Sequence, residues 1–429
     1  MSTQLTFVIA GLGSRGMQAY GQHILEHPDE MRVAAVADNL PEKTQRAMAA
    51  FNLAPDQCFN SAEELFSREK MADVAVIATQ DKQHYGHAMA ALKKGYHLLL
   101  EKPISPVLSQ CIEIRDEALR RGLTVTVCHV LRYSPFFRTV RDLIDSGAIG
   151  KVFNVDLVEN VGYWHQAHSF VRGNWRNTTE TSPMILAKSC HDMDILHYIL
   201  GVPCQRVSSY GSLSWFKSEN APAGSAPYCA AASECRPCCP YDAEKLYAER
   251  CAEILAGGGK ANWPFNIVTP DPTPQTLREA LKTSSYGRCV YHCDNDVVDH
   301  QVVAMTFEGG ITAAFTMTGF TDQNTRRIQV MGTLGEITGD LVEGTVFLKK
   351  FGETEKKVDM PVESRGGHGG GDALLMQSLK DAVTNGGKGG LTGITQSVHS
   401  HVMALAAEHS RLNNGIAVDV GAFEKTQDG

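Results

Sequence analysis

An apolar run, Phe7-Val8-Ile9-Ala10, ends in Gly11-Leu12-Gly13-Ser14-Arg15-Gly16, and a helix-compatible segment from Met17 to Glu26 follows. In a Gly-x-Gly-x-x-Gly turn the first glycine permits a tight strand-to-helix turn. The second lets backbone approach a pyrophosphate, and the third lets the helix pack on the strand. The N–H groups of the helix start, at Ser14, Arg15 and Gly16, then face the phosphates. A second apolar strand, Val33-Ala34-Ala35-Val36-Ala37, ends at Asp38, about 20 residues past the last glycine. A carboxylate there accepts hydrogen bonds from the adenosine ribose hydroxyls and repels a 2′-phosphate. The chemistry is dinucleotide binding, with NAD favoured; Lys43 and Arg46 nearby keep NADP open.

Glu101-Lys102-Pro103 is the second candidate for chemistry. It closes the strand His97-Leu98-Leu99-Leu100, and proline removes a donor and forbids a helix there. A sharp turn, through a cis bond or otherwise, would aim Lys102 across a cleft toward the nicotinamide. The plainer reading is a surface lysine ahead of a helix that starts at Pro106.

These residues need elements to hold them. Residues 5–128 alternate strand and helix signals, with Val74-Ala75-Val76-Ile77-Ala78 reading as a buried parallel strand that ends at Thr79-Gln80-Asp81, ahead of His84. This is doubly wound βα periodicity, and its ligand belongs at the carboxyl ends of the strands. Past Gly150 the pattern changes to longer strands at 151–161, 205–215, 301–318, 326–340 and 344–350, with helices at 190–200, Asp372–Thr384 and Thr392–Leu412. The expectation is α/β: a Rossmann domain over 1–128, then an α+β domain over 129–429 with an open, mainly antiparallel sheet. A Cys-rich insertion interrupts it at about 217–295. Uncovered sheet faces often pair between subunits, so a homo-oligomer through the C-terminal sheet is expected.

The 429 residues carry a net charge of −8, 43% apolar and 21% charged residues. Two domains with a sizeable core fit that length, and the negative balance argues against nucleic acid. No run approaches the ~18 apolar residues of a membrane span, and the first strand starts too early for a signal peptide; a cytoplasmic protein is expected. Twelve cysteines then read as reduced thiols rather than a disulfide framework. Cys229, Cys235, Cys238 and Cys239 are clustered, and Cys235-x-x-Cys238 has metal-ligand spacing. A structural zinc would hold a Pro/Ala-rich insertion without an obvious core; a set of reduced thiols is the alternative.

Taken together, Gly11-x-Gly13-x-x-Gly16, Thr79…His84, Gly95-Tyr96-His97…Glu101-Lys102-Pro103, Arg132-Tyr133-Ser134-Pro135 and Gly147-Ala148-Ile149-Gly150-Lys151-Val152 resemble the Gfo/Idh/MocA oxidoreductases (glucose–fructose oxidoreductase, inositol dehydrogenase, rhizopine catabolism). The resemblance implies NAD(P) between two domains, exchanging hydride with a sugar or cyclitol hydroxyl carbon. It places Gly11, Gly13, Ser14, Arg15, Gly16, Asp38, Thr79, Gln80, His84, Glu101 and Lys102 about the cofactor. It also places Lys102 beside the reacting hydroxyl, and matches His191-Asp192-Met193-Asp194 to the family's His-x-x-Asp helix. His191 is then the natural base at neutral pH, and Lys102 stabilises developing alkoxide charge.

One position departs from the family. Its sugar and inositol dehydrogenases carry an aspartate four residues before the histidine; here that residue is Ala187, followed by Lys188. Lys188 either enters the cleft as a second cation or snorkels to the surface. Tyr163, Trp164, His165 and His168, with Arg172, Trp175 and Arg176, form a dense aromatic and polar segment expected to hold a sugar ring. His368, in a glycine-rich turn, is a further substrate candidate. Three functions stay open: a dehydrogenase; an NAD-dependent glycosidase working by transient oxidation, elimination and re-reduction; and a non-catalytic NAD-binding sensor.

Overall fold

Alternating apolar runs and glycine-closed helices in the first third of the chain build a parallel sheet of β1 (Leu5–Ala10), β2 (Met31–Ala37), β3 (Cys58–Phe59), β4 (Val74–Ile77), β5 (His97–Leu100) and β6 (Val125–Val127). Its strand order is β3-β2-β1-β4-β5-β6. The order reverses beside β1, which opens a crevice between the carboxyl ends of β1 and β4. The computed structural model describes residues 4–361, 370–386 and 390–426.

The helices are α1 (14–26), α2 (Pro41–Phe51), α3 (Ala62–Ser67), α4 (His84–Lys93) and α5 (Leu108–Arg121). The first turns of α1, Ser14–Gly21, are π-wound, so the helix begins directly on the glycine turn rather than at Met17. Ser61 caps α3 by accepting from Glu64 N–H, and Gly122, at φ +65°, ends α5, where only glycine adopts that backbone freely.

The second sheet has nine strands: β7 (Val152–Gly162), β8 (Cys204–Ser212), β9 (His300–Phe307), β10 (Thr312–Thr321), β11 (Thr325–Gly332), β12 (Gly335–Asp340), β13 (Thr345–Lys350), β14 (Lys356–Lys357) and β15 (Val418–Asp419). They lie in the order β14-β13-β12-β11-β7-β10-β9-β8-β15. Every pairing is antiparallel except β7 with β10. Period-2 burial puts Val303, Met305, Phe315, Met317, Ile328 and Val330 on the inner face. Helices α6 (Pro135–Asp145), α7 (Cys190–Leu200), α8 (Gly371–Thr384) and α9 (Ile394–Leu412) follow in chain order. Of these, α6, α7 and α9 pack on the inner face, while Asp156, Val302 and Ala304 on the outer face stay exposed.

The C-terminal chain also crosses back. Leu375, Met376 and Leu379 of α8 share a buried cluster with Phe7, Ile9, Val33 and Leu99 of the parallel sheet. Among the described residues no helix is long and apolar enough to cross a membrane.

Candidate active site

At the carboxyl edge of the parallel sheet, the three motif glycines meet different surroundings. A Cβ on Gly11, at φ +93°, would lie 2.4 Å from Ala78 O, and one on Gly16 would lie 1.9 Å from Gly11 O. A Cβ on Gly13 would meet nothing within 4 Å. Two glycines are thus fixed by neighbouring backbone, while the middle one faces free space of the kind a pyrophosphate needs. Asp38 is fixed to the same turn: Leu12 N–H donates to its Oδ2 (2.7 Å) and Leu40 N–H to its Oδ1 (3.0 Å), with Lys43 Nζ 3.7 Å away. These residues fit a dinucleotide.

The loops after β4 and β5 are tied together. The His84 ring lies between Thr79 O (3.1 Å) and Pro103 O (2.7 Å). The Thr79 hydroxyl faces His87 Nδ1 at 3.0 Å, and His87 Nε2 faces Glu63 at 3.0 Å. Gln80 is exposed beside them. Arg15 and Glu101 are engaged with protein groups: Arg15 Nε donates to Glu101 Oε1 (2.6 Å), and its terminal nitrogens donate to Asp372 (2.7 and 3.1 Å). Burial would raise the Glu101 carboxyl, yet Arg15 and then Lys102 hold it below its ordinary value. The pair locks the glycine turn to β5 and to the start of α8.

The Lys102–Pro103 peptide is cis. Lys102 Nζ donates to Ala187 O (2.8 Å), at the end of the short helix Met184–Ala187 and one turn before His191. Residue 187, an alanine here, thus meets Lys102 through its backbone carbonyl. His191 is 7% exposed in the first turn of α7, its ring edge-on to His129 at 5.8 Å. Arg132 clamps α7 with a bidentate pair to Asp194 (2.7 Å each). His401 from α9 accepts from Ile104 N–H (2.9 Å), which braces the lysine turn from behind.

Lys188 does not snorkel. Its ammonium lies 3.4 Å from Glu159, which also takes Arg326 at 2.7 Å; Arg326 in turn makes two bonds to Asp192 (2.7 and 3.0 Å). Ser189 Oγ donates to the other Glu159 oxygen (3.1 Å). Burial lowers the Lys188 pKa, as does the charge of Arg326 and Lys102, although Glu159 opposes them. Burial would raise Glu159, but Arg326 and Lys188 hold it at about 2. Asp192 is pushed well up by burial, with Glu159 adding to it against the pull of Arg326. His165 borders this group: it faces Asn324 Oδ1 at 3.1 Å, and burial first, then Lys188, drives its pKa well down.

Glu159, Arg326, Asp192 and Asn324 are not among the residues picked from the sequence. Glu159 had a signal: Val155, Leu157, Glu159 and Val161 share one face of β7 by period 2, so a carboxylate there is buried at 1% exposure and must find a partner. Arg326 supplies it from directly across the ladder.

The aromatic segment divides. Trp175 Nε1 donates to Asp81 Oδ1 (3.3 Å), at the crevice after β4, and Trp164 stacks on His165. The others turn to the insertion. Arg172 is fully buried and donates to Arg288 O and Tyr241 O (2.6 Å each). His168 faces the Tyr247 hydroxyl (2.9 Å) and stacks on Tyr286, Tyr163 packs edge-on to Tyr241, and Arg176 pairs with Asp294 and Glu180. Their polar and aromatic groups seat the insertion instead of reaching Lys102. His368 lies outside the described residues.

The zinc expected at Cys229, Cys235, Cys238 and Cys239 is not supported. All four are free thiols, with Cys229 buried and Cys238 exposed, and no group of three or more ligands converges among the described residues. The insertion has a core of its own: Phe216, Leu246, Tyr247, Phe265, Leu277 and Val290 pack together with Ala167 and Val171. That burial does the work assigned to a metal.

The parallel sheet, its glycine turn and the antiparallel layer behind Lys102 define a two-layered, dinucleotide-dependent oxidoreductase architecture. The chain belongs to the Gfo/Idh/MocA oxidoreductase family: residues 5–129 match its NAD-binding Rossmann fold and residues 141–418 its C-terminal alpha/beta domain. It is 23% identical to YteT of Bacillus subtilis (strain 168) over 394 residues, 87% of each chain. Over 169 residues it is 27% identical to inositol 2-dehydrogenase/D-chiro-inositol 3-dehydrogenase of Lactiplantibacillus plantarum, which is 39% of this chain and 45% of that protein. An inositol dehydrogenase homolog from Azotobacter vinelandii, solved with NAD+, shares the fold with a TM-score of 0.70 at 15% identity, over 98% of each chain.

Proposed function

We propose that this protein oxidises a secondary hydroxyl of a sugar or cyclitol, with NAD as the hydride acceptor when bound in the crevice. The observation that carries the reading is Lys102: it ends a Rossmann strand, yet its ammonium lies on the carbonyl of Ala187, beside the helix that presents His191. Lys102 polarises the substrate oxygen and stabilises the alkoxide as it forms. His191 takes the hydroxyl proton. Asp38 favours NAD over NADP through its carboxylate at the end of β2, and relatives that act on inositols support the cyclitol side of the substrate class.

The test is NADH formation across sugars, glycosides and inositols, with released aglycone followed in parallel. Lys102→Ala is expected to lose about 10²–10³-fold in turnover while NADH binds within a few-fold of the parent. An unchanged rate would overturn the assignment, and aglycone release without net NADH would identify a redox-neutral glycosidase.

A further inference from the structure

The charges around Lys102 are layered. The carboxylates form the back: side-chain exposure is 1% for Glu159 and 0% for Asp192. The cations stand in front of them, with 21% exposure for Lys188 and 11% for Arg326. Lys102 adds a third cation, and among the described residues no carboxylate pairs with its ammonium, whose partner is the Ala187 carbonyl. Glu159 and Asp192 are thus two buried carboxylates behind three cations, both engaged by Arg326, while Glu101 is taken by Arg15. A group that enters from the cleft therefore meets ammonium N–H donors and no acceptor of comparable strength. A neutral polyol gains little from such a wall, whereas a carboxylate makes charge-assisted hydrogen bonds with it.

We propose that the substrate is a sugar acid, a uronate or aldonate, whose carboxylate is held by Lys188 while a neighbouring hydroxyl carbon faces Lys102 and His191. The inference rests on the dehydrogenase reading and narrows its substrate class. The step balances: the C–H bond breaks with its electron pair passing to NAD+ as hydride, the O–H proton goes to His191, and a keto acid and NADH result. Lys188 is the specificity determinant, acting on the acid group and not on the reacting carbon.

The test uses the full-length, NADH-saturated protein in calorimetric titrations with D-glucuronate, D-galacturonate and D-gluconate against D-glucose, D-galactose and D-sorbitol. NAD+ reduction with the same compounds is followed separately. At least one acid is expected to bind about ten- to a hundredfold tighter than its neutral partner. Lys188→Gln should erase that difference and Lys188→Arg should keep it. Neutral compounds binding as tightly as the acids, no acid binding at all, or an acid preference that survives in Lys188→Gln would each overturn the proposal. An acid preference without NADH formation would leave it standing and remove the dehydrogenase reading. Oxidation of neutral sugars without an acid preference would do the reverse.

Discussion

The two walls of the cleft are built by different means. The phosphate turn of the cofactor wall is local: Gly11, Gly13, Gly16 and Asp38 lie within one βαβ stretch, with Leu12 N–H and Leu40 N–H on a single carboxylate. Only Arg15 of that turn reaches far, to Glu101 and Asp372. The substrate wall is assembled from a distance. Glu159 and Arg326 are 167 residues apart, and Lys188 and Asp192 join them from a third element. A backbone-defined site tolerates most side-chain change around it; a site made of buried charges depends on each member. Family membership accordingly supplies the dinucleotide fold and leaves the substrate to the second wall.

The harshest way to break that contrast is Arg326→Met. It removes the cation between two buried carboxylates and leaves them facing one another beside Lys188 alone. Loss of one partner from such a set costs about 3–5 kcal/mol, and urea denaturation should register it. Molecules still folded should bind NADH as the parent does, because no Arg326 contact reaches the glycine turn. A fall in NADH affinity as large as the fall in stability would show that the walls are not independent.

The same division decided what could be read from the chain. The glycine spacing, Asp38, the lysine–proline turn and both C-terminal helices were visible because each is a short-range pattern. Pairing across β7 and β11 was not, since nothing within either strand names its partner; only the misplaced charge at Glu159 among Val155, Leu157 and Val161 hinted at one. Aromatic and polar density that suits a sugar ring also suits a packing seat: His168 and Arg172 serve the insertion, whereas Trp175 reaches Asp81 at the crevice. Cysteine spacing misled similarly: Cys235 and Cys238 have ligand spacing, but the insertion's apolar residues were already enough for a core. Leu375, Met376 and Leu379 mark a buried helix face without saying which sheet it faces, so the return of α8 to the Rossmann layer could not be foreseen.

Acid should sharpen the contrast. Burial lowers the pKa of His168 and His401 to about 3 and of His197 to about 4, all past the end of the parallel sheet at Val127. Their folded pKa lies below the unfolded value of about 6.5, so the unfolded chain binds more protons across that window. The stability they contribute is complete above about pH 6.5 and drains away as pH falls toward 3. Each supplies a slope of up to about 1.4 kcal/mol per pH unit. Hydrogen exchange at pH 7 and pH 5 should show α9 and the insertion losing protection before β1 and β4 do; equal loss in all of them would count against the asymmetry.

The smallest effect expected is at Asp38, and it asks whether the cofactor wall uses any side chain for selection. Asp38→Asn keeps the shape and removes the charge. One amide oxygen can still accept from Leu12 or Leu40, but the amide nitrogen then meets the other N–H, donor against donor, so the turn loosens slightly. Without the carboxylate, Lys43 at 3.7 Å loses its anion and becomes available to a 2′-phosphate, which no longer faces a negative charge. NADH should bind more weakly and NADPH more tightly, moving the ratio of dissociation constants by about tenfold, or about 1.4 kcal/mol. Fluorescence titration with both nucleotides measures it directly. A ratio that does not move would mean that the turn selects by backbone alone and that the ribose end is read by residues beyond Asp38 and Lys43.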